Sequence, residues 1–377
     1  MPPFSRHAAN DLLFNTPQFI HSTHPAPTLT PTFGSFAEQV YANEVARVAR
    51  KELSRDSLLV LRNRLDLHIL PRFGTRPIAG IDYMALLEFA QALSADKSSV
   101  TVSQYLVILR KVFKHALRMK AIAAVPELPA VKVSSTPRGA FTPSEYWRIL
   151  RRARALRGQP HPLDAQALRI HHKLRHADRF MPPDLAWAAG FMANSFIRPG
   201  DLKALRHRHV EEVRQGHHIY LRLTLPETKR HAQPIVTLYP AVRIYRALAS
   251  HAAQSGFGQP DDFLFLPHLR DRHYALGVLG LMFNWVLDEL GLKLGPHGQP
   301  RTLYSLRHSA ITFRLLYGHG IDLLTLARNA RTSVEVINRH YASTLVAEQN
   351  IALLQSRRRG ISSLAPLMPA RNMLPTQ

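Results

Sequence analysis

The feature that most constrains this chain is a break in its helical pattern. From Phe36 to about Val125 apolar residues recur at helical spacing, and then "VPELPAVKVSSTPRG" (Val125–Gly139) brings three prolines among small polar residues. A proline has no backbone N–H and clashes with the preceding turn, so such a stretch neither continues a helix nor joins a central strand. It reads as a linker, residues 126–140, between two halves that must each bury a core of their own. With 377 residues there is enough chain for both. The pattern restarts abruptly at Thr142, Pro143 and Glu145, a capping box with proline at the first helical position.

The first half, residues 35–125, is helical throughout. "FAEQVYANEVARVARKELS" opens it, "DSLLVLRNRLDLHIL" is expected to stop at Pro71, and "DYMALLEFAQALS" and "SVTVSQYLVILRKVFKHALRMK" follow. In the last of these Leu106, Leu109, Phe113 and Leu117 are expected to face a core. Arg110, Lys114 and Arg118 repeat along a neighbouring face with no acidic residue among them, a pattern expected of a DNA-facing stripe. Before this half, residues 1–34 are rich in Pro, Thr and His and read as a flexible arm.

The second half, residues 141–356, mixes helices with a short sheet. "PDLAWAAGFMAN" is apolar nearly all round, which predicts a buried helix, and it runs directly into Arg198. Pro199-Gly200 predicts a turn, and Asp201 is placed to cap a helix over "LKALRHRHV". "HIYLRLTL" alternates apolar and polar residues as a half-buried strand does, with "PIVTL" as its partner and Lys229 at the tip between them. Helical spacing returns in "LGVLGLMFNWVLDELG", "LYSLRHSAITFRLLYG" and "DLLTLARNA". Residues 357–377 open with three arginines, carry prolines and are expected to be disordered. The fold class is therefore mainly α with a small antiparallel β-sheet: an all-helical domain followed by an α+β domain.

Lys and Arg number 49 against 26 Asp and Glu, for a net charge of +23 and a pI near 10.9. Such an excess points to a polyanionic partner. Double-stranded DNA is favoured over a membrane, since there is no apolar run of about 18 residues and no charged start followed by an apolar signal segment. Zero cysteines exclude a thiol nucleophile, a disulfide framework and thiolate zinc. His171, His172 and His176, and also His207 and His209, lack a His-Glu-x-x-His pattern and read as histidines scattered over a basic surface. No phosphate-cradling Gly-rich loop is present.

Four boxes then occur in order: "FIRPGDLKALRHRHV", "LPETKRHAQPIVTL", "LYSLRHSAITFRL" and "ARTSVEVINRHYAS". With "LRNRLDLHILPRFGTRPIAGI" upstream, the chain resembles the tyrosine recombinases, the phage-integrase group, over about residues 36–350. The resemblance implies a core-binding domain and a catalytic domain forming a C-shaped clamp on DNA. It implies Arg198 and Arg307 as phosphate-gripping arginines, Lys229 (or its neighbour Arg230) as general acid, and Tyr341 as nucleophile. It also implies a 3′-phosphotyrosine intermediate, no cofactor and no metal. Self-association on DNA into a tetrameric synapse, accessory DNA-bending proteins and a bacterial, nucleoid-associated cytoplasmic location follow on the same basis. "STLVAEQNIALL", after Tyr341, looks like the helix that the family docks on a neighbouring subunit.

Two positions depart from the family pattern. A histidine is usual where Tyr304 stands, and a histidine or tryptophan where Thr332 stands. A phenol titrating near 10 is a poorer base than imidazole, and threonine does not titrate usefully. Two other readings therefore stand beside the recombinase: a DNA-binding relative without chemistry, and a topoisomerase IB-like enzyme that cuts and reseals one strand. Each residue also has a plain structural use: Arg198 paired to Asp201, Lys229 on a solvated hairpin, and Arg307, His308 and Tyr341 as packed side chains.

Overall fold

The computed structural model describes residues 31–133, 138–225, 233–318 and 320–341, with His171, His340 and Tyr341 described at the backbone. In chain order its helices are α1 (Phe33–Ala49), α2 (Arg55–Arg64), α3 (Leu70–Phe73), α4 (Tyr83–Ser94), α5 (Ser99–Arg118), α6 (Pro143–Ala155), α7 (Ala165–His172), α8 (Asp184–Ser195) and α9 (Pro199–Ala204). Strands β1 (Val210–Gln215), β2 (His218–Leu223) and β3 (Ile235–Val236) follow. The chain continues with α10 (Tyr239–Gln254), α11 (Arg272–Glu289), α12 (Leu303–Tyr317), α13 (Leu323–Asn329) and α14 (Val334–Tyr341). This is the mainly α chain with one small antiparallel sheet that the periodicities predict. It divides between Ser135 and Thr136 into two compact units, each with its own hydrophobic core.

In the first unit Phe33, Phe73, Phe89, Phe113 and Tyr105 form the aromatic centre of the core. Phe33 and Gly34, expected to end the arm, are instead the first turn of α1, and Phe33 is fully buried. Pro71 does not stop its helix. A π-helical turn over Leu65–Ile69 leads into α3, and the wider turn carries the chain through a residue that has no N–H to give. The helix ends instead at Gly74, whose carbonyl accepts from the Gly34 amide at 2.9 Å. A Cβ on Gly34 would stand 2.7 Å from that oxygen, so only glycine permits the approach. On α5 the buried face includes Leu106, Leu109 and Phe113 but then Ala116, while Leu117 is exposed. The 3.6-residue period carries the stripe to Ala116 at the last turn. Leu128 and Val131, in the stretch expected to be a free linker, pack against this core.

The second unit opens with the predicted capping box. Thr142 accepts from the Glu145 amide at 3.2 Å, and the Glu145 carboxylate accepts from the Thr142 amide at 2.8 Å. Arg301, only 3% exposed, donates to both Glu145 oxygens at 3.0 and 3.1 Å and to the Ala140 carbonyl at 2.8 Å. The helix expected over "LKALRHRHV" stops at Ala204; a 3-10 turn (His207–His209) and strand β1 take its place. β1 pairs antiparallel with β2, and β2 with β3, in the order β1-β2-β3. The chain between β2 and β3 is thus the predicted hairpin, and its tip with Lys229 lies outside the described residues. So do residues 1–30, the segment "STLVAEQNIALL" and residues 357–377.

Candidate active site

Arg198 is set by the end of a buried helix. Ten of the twelve residues of α8 are buried, as its apolar composition predicts, and the helix closes on Phe196 in the left-handed conformation (φ 60°). Such a φ is unfavourable for a residue with a Cβ, so tertiary packing must hold it; Phe196 is 2% exposed. Arg198 follows in extended conformation at the start of α9. Asp201, expected to cap a later helix, lies in the first turn of α9 and accepts from the Arg198 amide at 2.7 Å. The carboxylate thereby fixes the backbone from which the guanidinium projects.

Arg307 is delivered by α12, which Thr302 caps by accepting from the Tyr304 amide at 3.2 Å. One face of this helix is polar yet buried: Ser305, Arg307, His308, Ser309 and Thr312. Arg307 is 2% exposed and donates through Nη1 to the Phe196 carbonyl and through Nη2 to the Ala330 carbonyl. Arg198, half-buried, donates through Nη2 to the Arg331 carbonyl at 2.5 Å. Two arginines separated by more than a hundred positions thus converge on two consecutive carbonyls.

Those carbonyls belong to the turn between α13 and α14. Arg331 is left-handed (φ 51°), and the Thr332 amide donates back to Ala327 at 2.9 Å. Ser333 then starts α14, accepting from the Val336 amide at 3.2 Å. Tyr341 ends α14, about 10 Å along the axis from Val334 at 1.5 Å per residue. Asn329 ties the same turn to the sheet: its Oδ1 accepts from the Val236 amide at 2.8 Å, and its Nδ2 donates to the Val236 carbonyl at 2.9 Å. The hairpin that carries Lys229 is therefore anchored at its returning strand to the turn where the arginines meet.

Arg331 is the residue that sequence reasoning missed. It is 2% exposed, and burial pushes its guanidinium below the ordinary arginine value, with Asp201 raising it and Arg198 lowering it. A charged residue in a polar-looking turn carries no sequence signal of burial. Tyr304 lies between the Arg138 guanidinium, 5.3 Å from its ring, and the His308 ring at 5.2 Å. Arg110, Lys114 and Arg118 are exposed along α5, and among the described residues none of them forms an ion pair. His207, expected at the surface, is buried, with its Nδ1 3.3 Å from the Tyr245 hydroxyl. Among the described residues no group of His, Cys, Asp or Glu is placed to hold a metal ion, and no helix is long and apolar enough to cross a membrane.

No family model and no curated protein matches the chain. Solved structures do. A lambda integrase dimer bound to a COC′ core site superimposes with a TM-score of 0.59 at 14% identity, over 82% of this chain and 77% of the other. A lambda integrase tetramer bound to a Holliday junction gives 0.58 at 16% identity, over 83% of each chain. The Tn1549 transposon integrase in complex with a circular intermediate DNA gives 0.56 at 15% identity, over 84% of this chain and 98% of the other. This chain has the integrase fold. The resemblance to the tyrosine recombinases seen in the four boxes thus extends to the three-dimensional architecture. Within that integrase fold the first and third boxes meet the fourth at Ala330 and Arg331.

Proposed function

We propose that the protein is a site-specific DNA recombinase of the tyrosine type, cleaving and rejoining strands by transesterification. The observation that carries this reading is the convergence of Arg198 and Arg307 on the turn that starts the Tyr341 helix, within an integrase fold. In the first step the Tyr341 hydroxyl oxygen attacks the scissile phosphorus, forming a 3′-phosphotyrosine and releasing a 5′ hydroxyl. Lys229 protonates that leaving oxygen, or Arg230 if the hairpin presents it instead. Arg198, with Arg307 beside it, stabilises the charge that builds on the non-bridging oxygens. The 5′ hydroxyl of a second strand then attacks the phosphotyrosine and regenerates Tyr341. The phosphodiester energy is conserved in the covalent link, so these groups complete the exchange without a nucleotide cofactor or a metal.

The partners that fit are double-stranded DNA, met by the exposed Arg110/Lys114/Arg118 stripe, and further copies of the chain in a tetrameric synapse, with accessory DNA-bending proteins as the remaining class. The lambda and Tn1549 neighbours are integrases in DNA complexes, which supports this assignment. Action on bacterial chromosomal DNA places the protein in the cytoplasm with the nucleoid.

The test begins by recovering bound duplexes from a random-sequence pool and nicking them near the protected centre. Incubation with the protein, with and without EDTA, should yield a protein–DNA adduct that survives SDS in both cases. Binding without adduct would contradict the proposal in favour of a DNA-binding relative without chemistry. Relaxation of supercoiled plasmid with no exchange between two sites would favour a topoisomerase IB-like enzyme.

A further inference from the structure

Arg331 is buried, left-handed and charged, a combination that is costly on every count. Its φ of 51° is one that glycine adopts far more readily, and its side chain is 2% exposed. Burying a permanent cation is unfavourable unless something opposes it. Asp201 attracts the Arg331 guanidinium and Arg198 repels it. The Asp201 carboxylate is also engaged by the Arg198 amide at 2.7 Å, and the Arg198 guanidinium is held at the Arg331 carbonyl at 2.5 Å. One residue thus fixes Arg198 through its carbonyl and charges its surroundings through its side chain. It does so immediately before Thr332, the position where a histidine or tryptophan is usual in the family it resembles.

We propose that Arg331 is a positioning residue for the phosphodiester chemistry: its guanidinium draws on Asp201 so that the positive charge of Arg198 is left to face the scissile phosphate, making up for the group missing at Thr332. The proposal rests on the recombinase reading above. In a buried setting of low dielectric, a fixed charge acts on its neighbour without touching the substrate. Arg331 takes part in no bond that forms or breaks.

The experiment uses the full chain and nicked duplexes recovered from a random-sequence pool by binding to it. Arg331→Gly suits the left-handed turn and removes the charge, so folding is kept; thermal melting verifies this. Adduct formation should slow by about 10- to 100-fold, the scale of a weakened oxyanion contact. Arg331→Lys should restore most of the rate, and Thr332→His should recover part of it in the Arg331→Gly background. The decisive substrate carries a methylphosphonate at the scissile position, which replaces one charged non-bridging oxygen by methyl. On it the gap between wild type and Arg331→Gly should shrink, because the charge that the guanidinium answers is gone. If wild type reacts and Arg331→Gly reacts equally, or is equally impaired on both substrates, the proposal is overturned alone. If wild type forms no adduct on any selected duplex, the recombinase reading fails and takes the proposal with it.

Discussion

Replacing Arg307 by alanine should unfold more than it unbinds. The guanidinium is 2% exposed and joins two distant pieces of backbone, the Phe196 carbonyl after α8 and the Ala330 carbonyl before α14. A hydrogen bond from a charged donor contributes roughly 1.5–3 kcal/mol, and truncation leaves two carbonyls without this donor beside a new cavity. Together these give a loss of about 3–5 kcal/mol, the range seen when one partner of a buried charged contact is removed. For a unit of this size each kcal/mol moves the melting temperature by about 2–4 °C, so a fall of roughly 10 °C is expected. Arg307→Lys can reach only one of the two carbonyls and should lose about half as much. Differential scanning calorimetry measures it. Because the two units have separate cores, the transition of residues 136–341 should fall while that of the first unit stays. An Arg307→Ala protein melting within about 2 °C of wild type would refute the reasoning, because the guanidinium would then not be holding the two carbonyls.

The exposed stripe on α5 gives a second test: changing Arg110, Lys114 and Arg118 to alanine should make the log–log salt slope of duplex binding shallower by up to about 0.9 for each phosphate that is no longer neutralised. An unchanged slope would remove the stripe from the interface. The Glu145 carboxyl gives a third. Burial works to raise it, but the Thr142 amide and the Arg301 guanidinium prevail and hold it below its ordinary value. A depressed carboxyl contributes stability above its unfolded pKa and loses it as pH falls through the folded one. Glu145→Gln should therefore be less stable than wild type near neutral pH, and the two should converge below about pH 4. A constant difference across that range would show that the ion pair with Arg301 does not carry the effect.

The sequence showed the parts that local chemistry dictates. The Thr142–Pro143–Glu145 start of α6, the wholly buried α8 and the alternation of β2 each follow from a pattern that few other structures satisfy. Strand β1 was hidden because "VEEVRQ" has no residue fully buried; backbone pairing to β2 and the Arg222–Glu211 ion pair at 2.9 Å hold it instead. Pro71 misled because proline is normally a helix stop, and the π turn before it depends on packing. At the site, the boxes identified Arg198, Arg307 and the Tyr341 helix, but not that the arginines meet at a single turn. Nor did they indicate Arg331, since a buried cation is paid for by tertiary partners that sequence spacing does not reveal.

The central claim is that a phenol on α14 becomes covalently joined to DNA. Digesting the SDS-stable adduct with trypsin and nuclease, followed by mass spectrometry, identifies the modified residue directly. The account predicts a nucleotide on Tyr341 through a 3′-phosphodiester, and no adduct from Tyr341→Phe, which should still bind the same duplex. An adduct mapped to another residue, or one that persists in Tyr341→Phe, would contradict it.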